Sequence, residues 1–227
     1  MRRLTLFVAA VAASLAMPHA ARAGSVDLCN GAAGWTASWD ASLDGLVQII
    51  AADCSQLANG RVFIEKSAEF TQGPNGGVFP SIAITFTPAA VTNVLRIIIE
   101  DEIVTNSTGA PWTGFRMDVM SIAATTFDTA ATAASGGPLP IGFSIAPFTA
   151  AAFSNGNTRL DISGGVVANG AQWFPGGGAT DGELHIVQAI GGPPISPFTL
   201  IETPLPEPSA LTLLAFGICG LIARRRR

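Results

Sequence analysis

Between residues 43 and 203 the chain alternates short apolar or period-two runs with clusters of glycine, proline, asparagine and serine. The runs are Leu43–Ala51, Arg61–Phe70, Val78–Thr87, Val94–Thr105, Trp112–Ser121, Ile141–Ile145, Thr158–Ile162, Glu183–Ile190 and Phe198–Thr203. A side-chain environment that repeats every second residue belongs to a strand with one buried face, and the breakers between runs mark turns. Short strands at this spacing predict an all-β fold, an antiparallel β-sandwich. No segment of this body holds a long helical period, although Pro88–Asn93 and Pro147–Phe153 each have room for a turn or two. Thr125–Gly137, Pro175–Gly178 and Gly191–Pro194 are rich in small residues and are expected as surface loops. Two strands flank the turn-prone Asn106–Pro111, so Arg96–Thr105 and Trp112–Met120 are expected to be joined by an antiparallel connection.

The two ends depart from this pattern. Met1–Ala23 opens with Arg2 and Arg3, continues with an apolar core from Leu4 to Met17, and reaches Ala21-Arg22-Ala23, an A-x-A cleavage pattern. That is the order of a secretory signal peptide, cut after Ala23, and it implies an oxidising compartment outside the cytoplasm. At the other end Pro206-Glu207-Pro208-Ser209 precedes an apolar run from Ala210 to Ala223, and Arg224, Arg225, Arg226 and Arg227 follow. The prolines remove amide donors and fix backbone angles, so Leu205–Pro208 is expected to be extended, exposed and outside any sheet. Ser209 can cap a helix that is apolar all round. Fourteen residues at ~1.5 Å each reach about 21 Å, short of the roughly 30 Å hydrocarbon core. Snorkelling arginines and a thinned bilayer make up the difference, and the positive-inside tendency puts Arg224–Arg227 in the cytoplasm as a stop-transfer cluster. A single transmembrane helix over 210–223 follows, with the body outside.

The Pro-Glu-Pro motif, the short apolar helix and the terminal arginines, in that order, resemble the PEP-CTERM sorting signal of bacterial surface proteins. The resemblance implies recognition by a membrane-embedded sorting protease of the exosortase type. It also implies a bilayer-held intermediate before processing, and a link to extracellular polysaccharide. Such tails are also catalogued as an ice-binding protein C-terminal domain, but ice binding would need a flat regular threonine array that is not legible here. Asn106-Ser107-Thr108-Gly109 followed by Trp112-Thr113-Gly114-Phe115 resembles a segment of β-sandwich bodies in PEP-CTERM proteins, and implies fold without chemistry. Asn106-Ser107-Thr108 also fits the glycosylation sequon, with turn chemistry as the preferred reason for it.

The expected domains are therefore 1–23 as signal peptide, 24–203 as one sandwich ectodomain and 204–227 as sorting signal. Removing the ends changes the electrostatic picture. Residues 24–206 hold five basic residues (Arg61, Lys66, Arg96, Arg116, Arg159) against fifteen acidic ones, a formal balance of −10, whereas the whole chain carries −4. Such a body repels phosphate backbones, which excludes nucleic acid as a partner. Cys29 and Cys54 are the only cysteines of the body, and in that compartment a bridge between them is expected over two separate thiols.

Chemistry in the body is sparse. No metal site or cofactor is expected, because Cys29 and Cys54 have no neighbouring histidine to complete a shell and no glycine-rich segment has a phosphate-loop lysine. His185 is the only histidine left after signal removal, it lies in an alternating run read as solvent-facing, and no Gly-x-Ser-x-Gly elbow accompanies it. Glu100 and Glu102 fall on one strand face with Asp101 opposite, and are read as a solvated face, with a hard cation such as calcium as the alternative. Together with Trp112 they form the candidate ligand surface. Trp35, Trp39, Trp112 and Trp173 are offered both as sugar-stacking rings and as core. The expectation is thus a non-enzymatic exported protein of the cell surface or matrix. Its rivals are a carbohydrate- or surface-binding module and, further off, a secreted hydrolase that would bring His185 to an acid and a serine in a cleft.

Overall fold

In Arg61–Phe70 the alternation becomes a strand whose inward positions are Val62, Ile64, Lys66, Ala68 and Phe70, all buried. Repeated over the chain, the same rule builds two sheets with a shared apolar interior. The computed structural model describes residues 24–122, 125–178, 180–188 and 195–207. The expected signal peptide with Ala21 and Ala23, and the tail's Pro208, Ser209, 210–223 and Arg224–Arg227, lie outside the described residues. Among the described residues no helix is long and apolar enough to cross a membrane.

The first sheet runs, edge to edge, β1 (Gly24–Asp27), β2 (Trp35–Trp39), β5 (Ile82–Pro88), β13 (Phe198–Pro206), β7 (Trp112–Ser121), β10 (Arg159–Val167) and β9 (Ala150–Ser154). The second runs β3 (Val47–Asp53), β4 (Arg61–Phe70), β6 (Arg96–Asn106), β12 (Leu184–Gln188) and β8 (Thr125–Phe127), and the short β11 (Gln172–Trp173) also pairs β6. Neighbours are antiparallel except β4 and β6, which run parallel. Ile84, Phe86, Phe115, Ile162 and Leu200 of the first sheet meet Ile64, Ile97, Ile99, Val104 and Ile186 of the second in one core. The all-β reading holds, and the two sheets face each other in a sandwich-like arrangement.

Cys29 and Cys54 are bridged, with Cα atoms 5.9 Å apart. Cys29 sits in the turn after β1 and Cys54 follows β3, so the bridge fastens the β1 edge of one sheet to the β3 edge of the other.

Several expectations need correction. β6 and β7 are consecutive but lie in different sheets, so Asn106–Pro111 is a crossover between layers and not a hairpin. Asn106 organises that crossover: its Oδ1 accepts from the Thr108 amide (3.1 Å) and hydroxyl (2.7 Å), and its Nδ2 donates to the Ala110 (2.9 Å) and Val167 (3.0 Å) carbonyls. With the side chain fully buried, the sequon serves the turn.

Ile141–Ile145 is not a strand. Gly142 adopts φ +82°, and a Cβ there would overlap the Thr132 carbonyl, so the segment folds back against its neighbours while Phe143 stays buried. Thr125–Gly137 is not only loop. It holds β8 and a short helix, α1 (Thr129–Ala134), whose first turn is capped by Asp128 accepting from the Ala131 amide. Ala150–Ser154, which overlaps Pro147–Phe153, one of the two segments with room for helix, is the edge strand β9.

The end of the body moves as well. β13 continues past Thr203 to Pro206, which still pairs with Trp112 and whose carbonyl accepts from the Thr113 hydroxyl at 3.0 Å. Proline lacks a donor but keeps its acceptor, so Leu205 and Pro206 join the sheet, and Glu207, the last described residue, is exposed.

Candidate functional site

The acidic strand does not present the surface expected of it. Register between β4 and β6 shifts from Ile64 opposite Ile99 to Glu65 opposite Asp101, leaving Glu100 as an extra residue. A bulge of this kind reverses the phase of everything after it. Ile97 and Ile99 point inward before it, and Glu102, Val104 and Asn106 point inward after it. Glu100 and Glu102 therefore lie on opposite faces, and the solvated shared face is overturned. Trp112 is fully buried too, packed edge-on against Phe70 and Phe79, with its indole N–H donating to the Thr108 hydroxyl at 3.3 Å. Glu102 and Trp112 thus form no ligand surface.

Glu100 remains outside. It lines a polar cavity of about 200 Å³ with Asp101, Ser135, Thr180 and Glu183. Burial first, then the charges of Asp101 and Glu183, push its carboxyl up. Among the described residues no cluster of His, Cys, Asp and Glu is arranged to hold a metal.

Glu102 instead meets Lys66 in the middle of the core. Lys66 on β4 and Glu102 on β6 are register partners, and Glu202 enters from β13 in the opposite sheet. The Lys66 ammonium is in contact with one oxygen of each carboxylate, and all three side chains are fully shielded from water. The second oxygens, Glu102 Oε2 and Glu202 Oε2, have no partner among the described residues. Burial, then the neighbouring Glu202, hold the Glu102 carboxyl up at about 8 against the opposing pull of Lys66. Burial works against the Lys66 charge, but the two carboxylates outweigh it and keep the ammonium above its usual range. Sequence reading missed this triad. Its signal was nonetheless present: Lys66 follows Val62 and Ile64, and Glu202 follows Phe198 and Leu200, at the inward phase of their strands.

His185 is buried, not solvent-facing. Its Nε2 lies 2.9 Å from Glu183 Oε2, its amide donates to the Thr132 hydroxyl of α1 at 3.1 Å, and its Nδ1 has no partner among the described residues. The acid that a hydrolase would need is beside it, but the serine hydroxyl at hand, Ser135 Oγ, accepts from the Glu183 amide at 2.9 Å and makes no hydrogen bond to the imidazole among the described residues.

Of the four tryptophans, Trp35, Trp112 and Trp173 are core, while Trp39 at the end of β2 is half-buried. Trp39 lines a cleft of about 460 Å³ with Ser38, Asp40, Gln72, Ser81 and Thr85. Its indole N–H donates to Asp44 Oδ1 at 3.2 Å, which fixes the ring's orientation. The β-strand period delivers the hydroxyls: Ser38 pairs with Thr85, and Thr85 with Thr199, across three adjacent strands. Hydrogen bonds from the Ser42 hydroxyl, then its amide, hold the Asp40 carboxyl below its usual range, so an ionised acceptor stands at the cleft. A half-exposed ring beside hydroxyls and a carboxylate can stack on and hydrogen-bond a polyhydroxylated ligand.

No protein-family model, curated protein or solved structure matches the chain.

Proposed function

We propose that this is an exported, non-enzymatic protein of the cell surface or extracellular matrix. In this reading residues 1–23 direct export, Arg224–Arg227 stop transfer, and an exosortase-type protease cuts at or beside Pro206-Glu207-Pro208-Ser209. The observation that carries it is the end of β13: the sheet holds the chain through Pro206, and the next residue, Glu207, is exposed. The motif thus begins where the body stops, and a protease gains purchase from Glu207 onward. The test is the C-terminal sequence of protein recovered from the surface of a host carrying the sorting protease. A terminus at or next to the motif is expected, and intact Arg227 in that fraction would sink the reading.

A second reading, a carbohydrate-binding role, is favoured by the cleft at Trp39. Its oriented ring, strand hydroxyls and ionised Asp40 suit an extracellular polysaccharide. Titration of the secreted protein with the host's polysaccharide should show saturable binding that Trp39→Ala weakens roughly tenfold or more. Equal binding by the two proteins would remove the cleft from the account.

A further inference from the structure

Lys66 is the only lysine of the whole chain, and it is fully buried. Long charged side chains are almost never buried completely, and a single lysine placed between two glutamates inside a sandwich invites a chemical reading. A buried ion triad is a poor source of stability, since desolvation of three charges offsets their attraction. Two carboxylate oxygens without hydrogen-bond partners among the described residues add to that cost.

We propose that the Lys66 amine and the Glu202 side-chain carboxyl condense within the folded protein to an amide linking the two sheets, with Glu102 as the acid that assists. Three observations carry it: Lys66 Nζ touches both carboxyls, all three groups are sealed from solvent, and the second oxygens of Glu102 and Glu202, which have no hydrogen-bond partner among the described residues, are placed for proton relay and departure. Contact of this kind, held by strands on either side, acts as an effective concentration that reaches on the order of 10⁵–10⁸ M in well-oriented systems.

The proton count fits. Glu102, held up at about 8, is the carboxyl placed to hold a proton at neutral pH, and the Lys66 ammonium touches Glu202 as well. Moving one proton from Nζ to Glu202 gives a neutral amine and a neutral carboxylic acid with no change in net charge. That tautomer is the minor one, but a dry interior favours uncharged forms and the reaction drains it.

Nζ then attacks Cδ of Glu202. The Glu102 hydroxyl gives its proton to the carbonyl oxygen under attack, and its other oxygen takes one from the nitrogen, so a C–N bond forms and Glu102 is again an acid. A second relay through Glu102 moves a proton from one hydroxyl of the tetrahedral carbon to the other. The C–O bond breaks, water leaves, and the amide carbonyl is restored. Amine plus acid becomes amide plus one water, with nothing oxidised or reduced. The product replaces an ion pair by a neutral amide and closes a covalent loop between positions 136 apart in sequence.

Peptide mapping of the reduced and alkylated full chain tests this. Trypsin puts Glu102 and Glu202 in separate peptides, because Arg116 and Arg159 lie between them. Protein recovered in the folded state should resist cleavage at Lys66. It should yield a branched species joining the Val62–Arg96 peptide to the one that begins at Leu160, lighter than their sum by one water. Complete cleavage at Lys66, with a linear Ser67–Arg96 peptide, would overturn the proposal. A branch to the Ile97–Arg116 peptide would overturn Glu202 as acceptor. Glu102→Gln should give linear peptides from protein that still forms the Cys29–Cys54 bridge, and an undiminished branch in that variant would remove Glu102 from the chemistry. The wild-type map decides the linkage whether or not the variant folds.

Discussion

Ile98 on β6 and His185 on β12 face each other across an antiparallel pair and are both buried, on the side of the sheet away from the core. α1 packs on that side against β12, with Asp128 bonded through its amide to the His185 carbonyl and Thr132 accepting from the His185 amide. Burial holds the imidazole's pKa below its ordinary value; Glu183 and Asp128 oppose the shift and Arg96 adds to it. A histidine depressed in the fold contributes stability that is complete above its unfolded value near 6.5, and loses it as pH falls through the folded value.

Urea midpoints should therefore fall as pH drops below about 6.5 in the wild type, and fall less in His185→Gln. Matching pH slopes for the two proteins would show that His185 does not titrate in this way.

Asp128 ties α1 to β6: it caps the helix with one oxygen and meets Arg96 Nη1 at 2.6 Å with the other. Asp128→Ala should cost about 1–2 kcal/mol in equilibrium unfolding. Asp128→Asn keeps an acceptor for the Ala131 amide and loses a partly exposed ion pair, so its cost should stay below about 1 kcal/mol. Equal losses from the two variants would contradict the division of labour.

Opening the Cys29–Cys54 bridge releases a loop with a sequence separation of 25. Cys29→Ser with Cys54→Ser should lose about 3 kcal/mol, by the entropy that the bridge removes from the unfolded chain. Added reductant should bring the wild type to the stability of the double variant and leave that variant unchanged.

Two tryptophans provide a contrast. Trp112→Ala empties a site ringed by Phe70, Phe79 and Phe115 and should destabilise by about 3–5 kcal/mol. Trp39→Ala removes a half-buried ring at the end of β2 and should cost about 1–2 kcal/mol. Thermal and denaturant unfolding of the two variants measures the difference. A larger loss at Trp39 would reassign it to the core.

The strands most legible in sequence were those with strict alternation. Arg61–Phe70 carries its period from end to end, Trp112–Ser121 carries it from Phe115 to Val119, and both fold as strands with the bounds read. Edge strands were not legible: Gly24–Asp27 and Ala150–Ser154 bury little, so selection puts no strong apolar period into them. Glu100 hid the phase change in β6, because a bulge depends on the partner strand's register, which a local pattern does not carry. His185 looked exposed for a related reason. Its neighbours obey the alternation, and the distant α1, which no local pattern reveals, packs on the other face at His185. Lys66 and Glu202 stood at inward positions in plain view, yet each is explained only by the other, 136 residues away.

β13 is both the last described strand and a central one, flanked by β5 and β7. Anything attached beyond Glu207 pulls along the axis of that strand. Its ladders to both neighbours then lie across the direction of load and resist together, as lap joints do, whereas a terminal edge strand would peel away one bond at a time. A tether at this end would meet the body's stiffest grip.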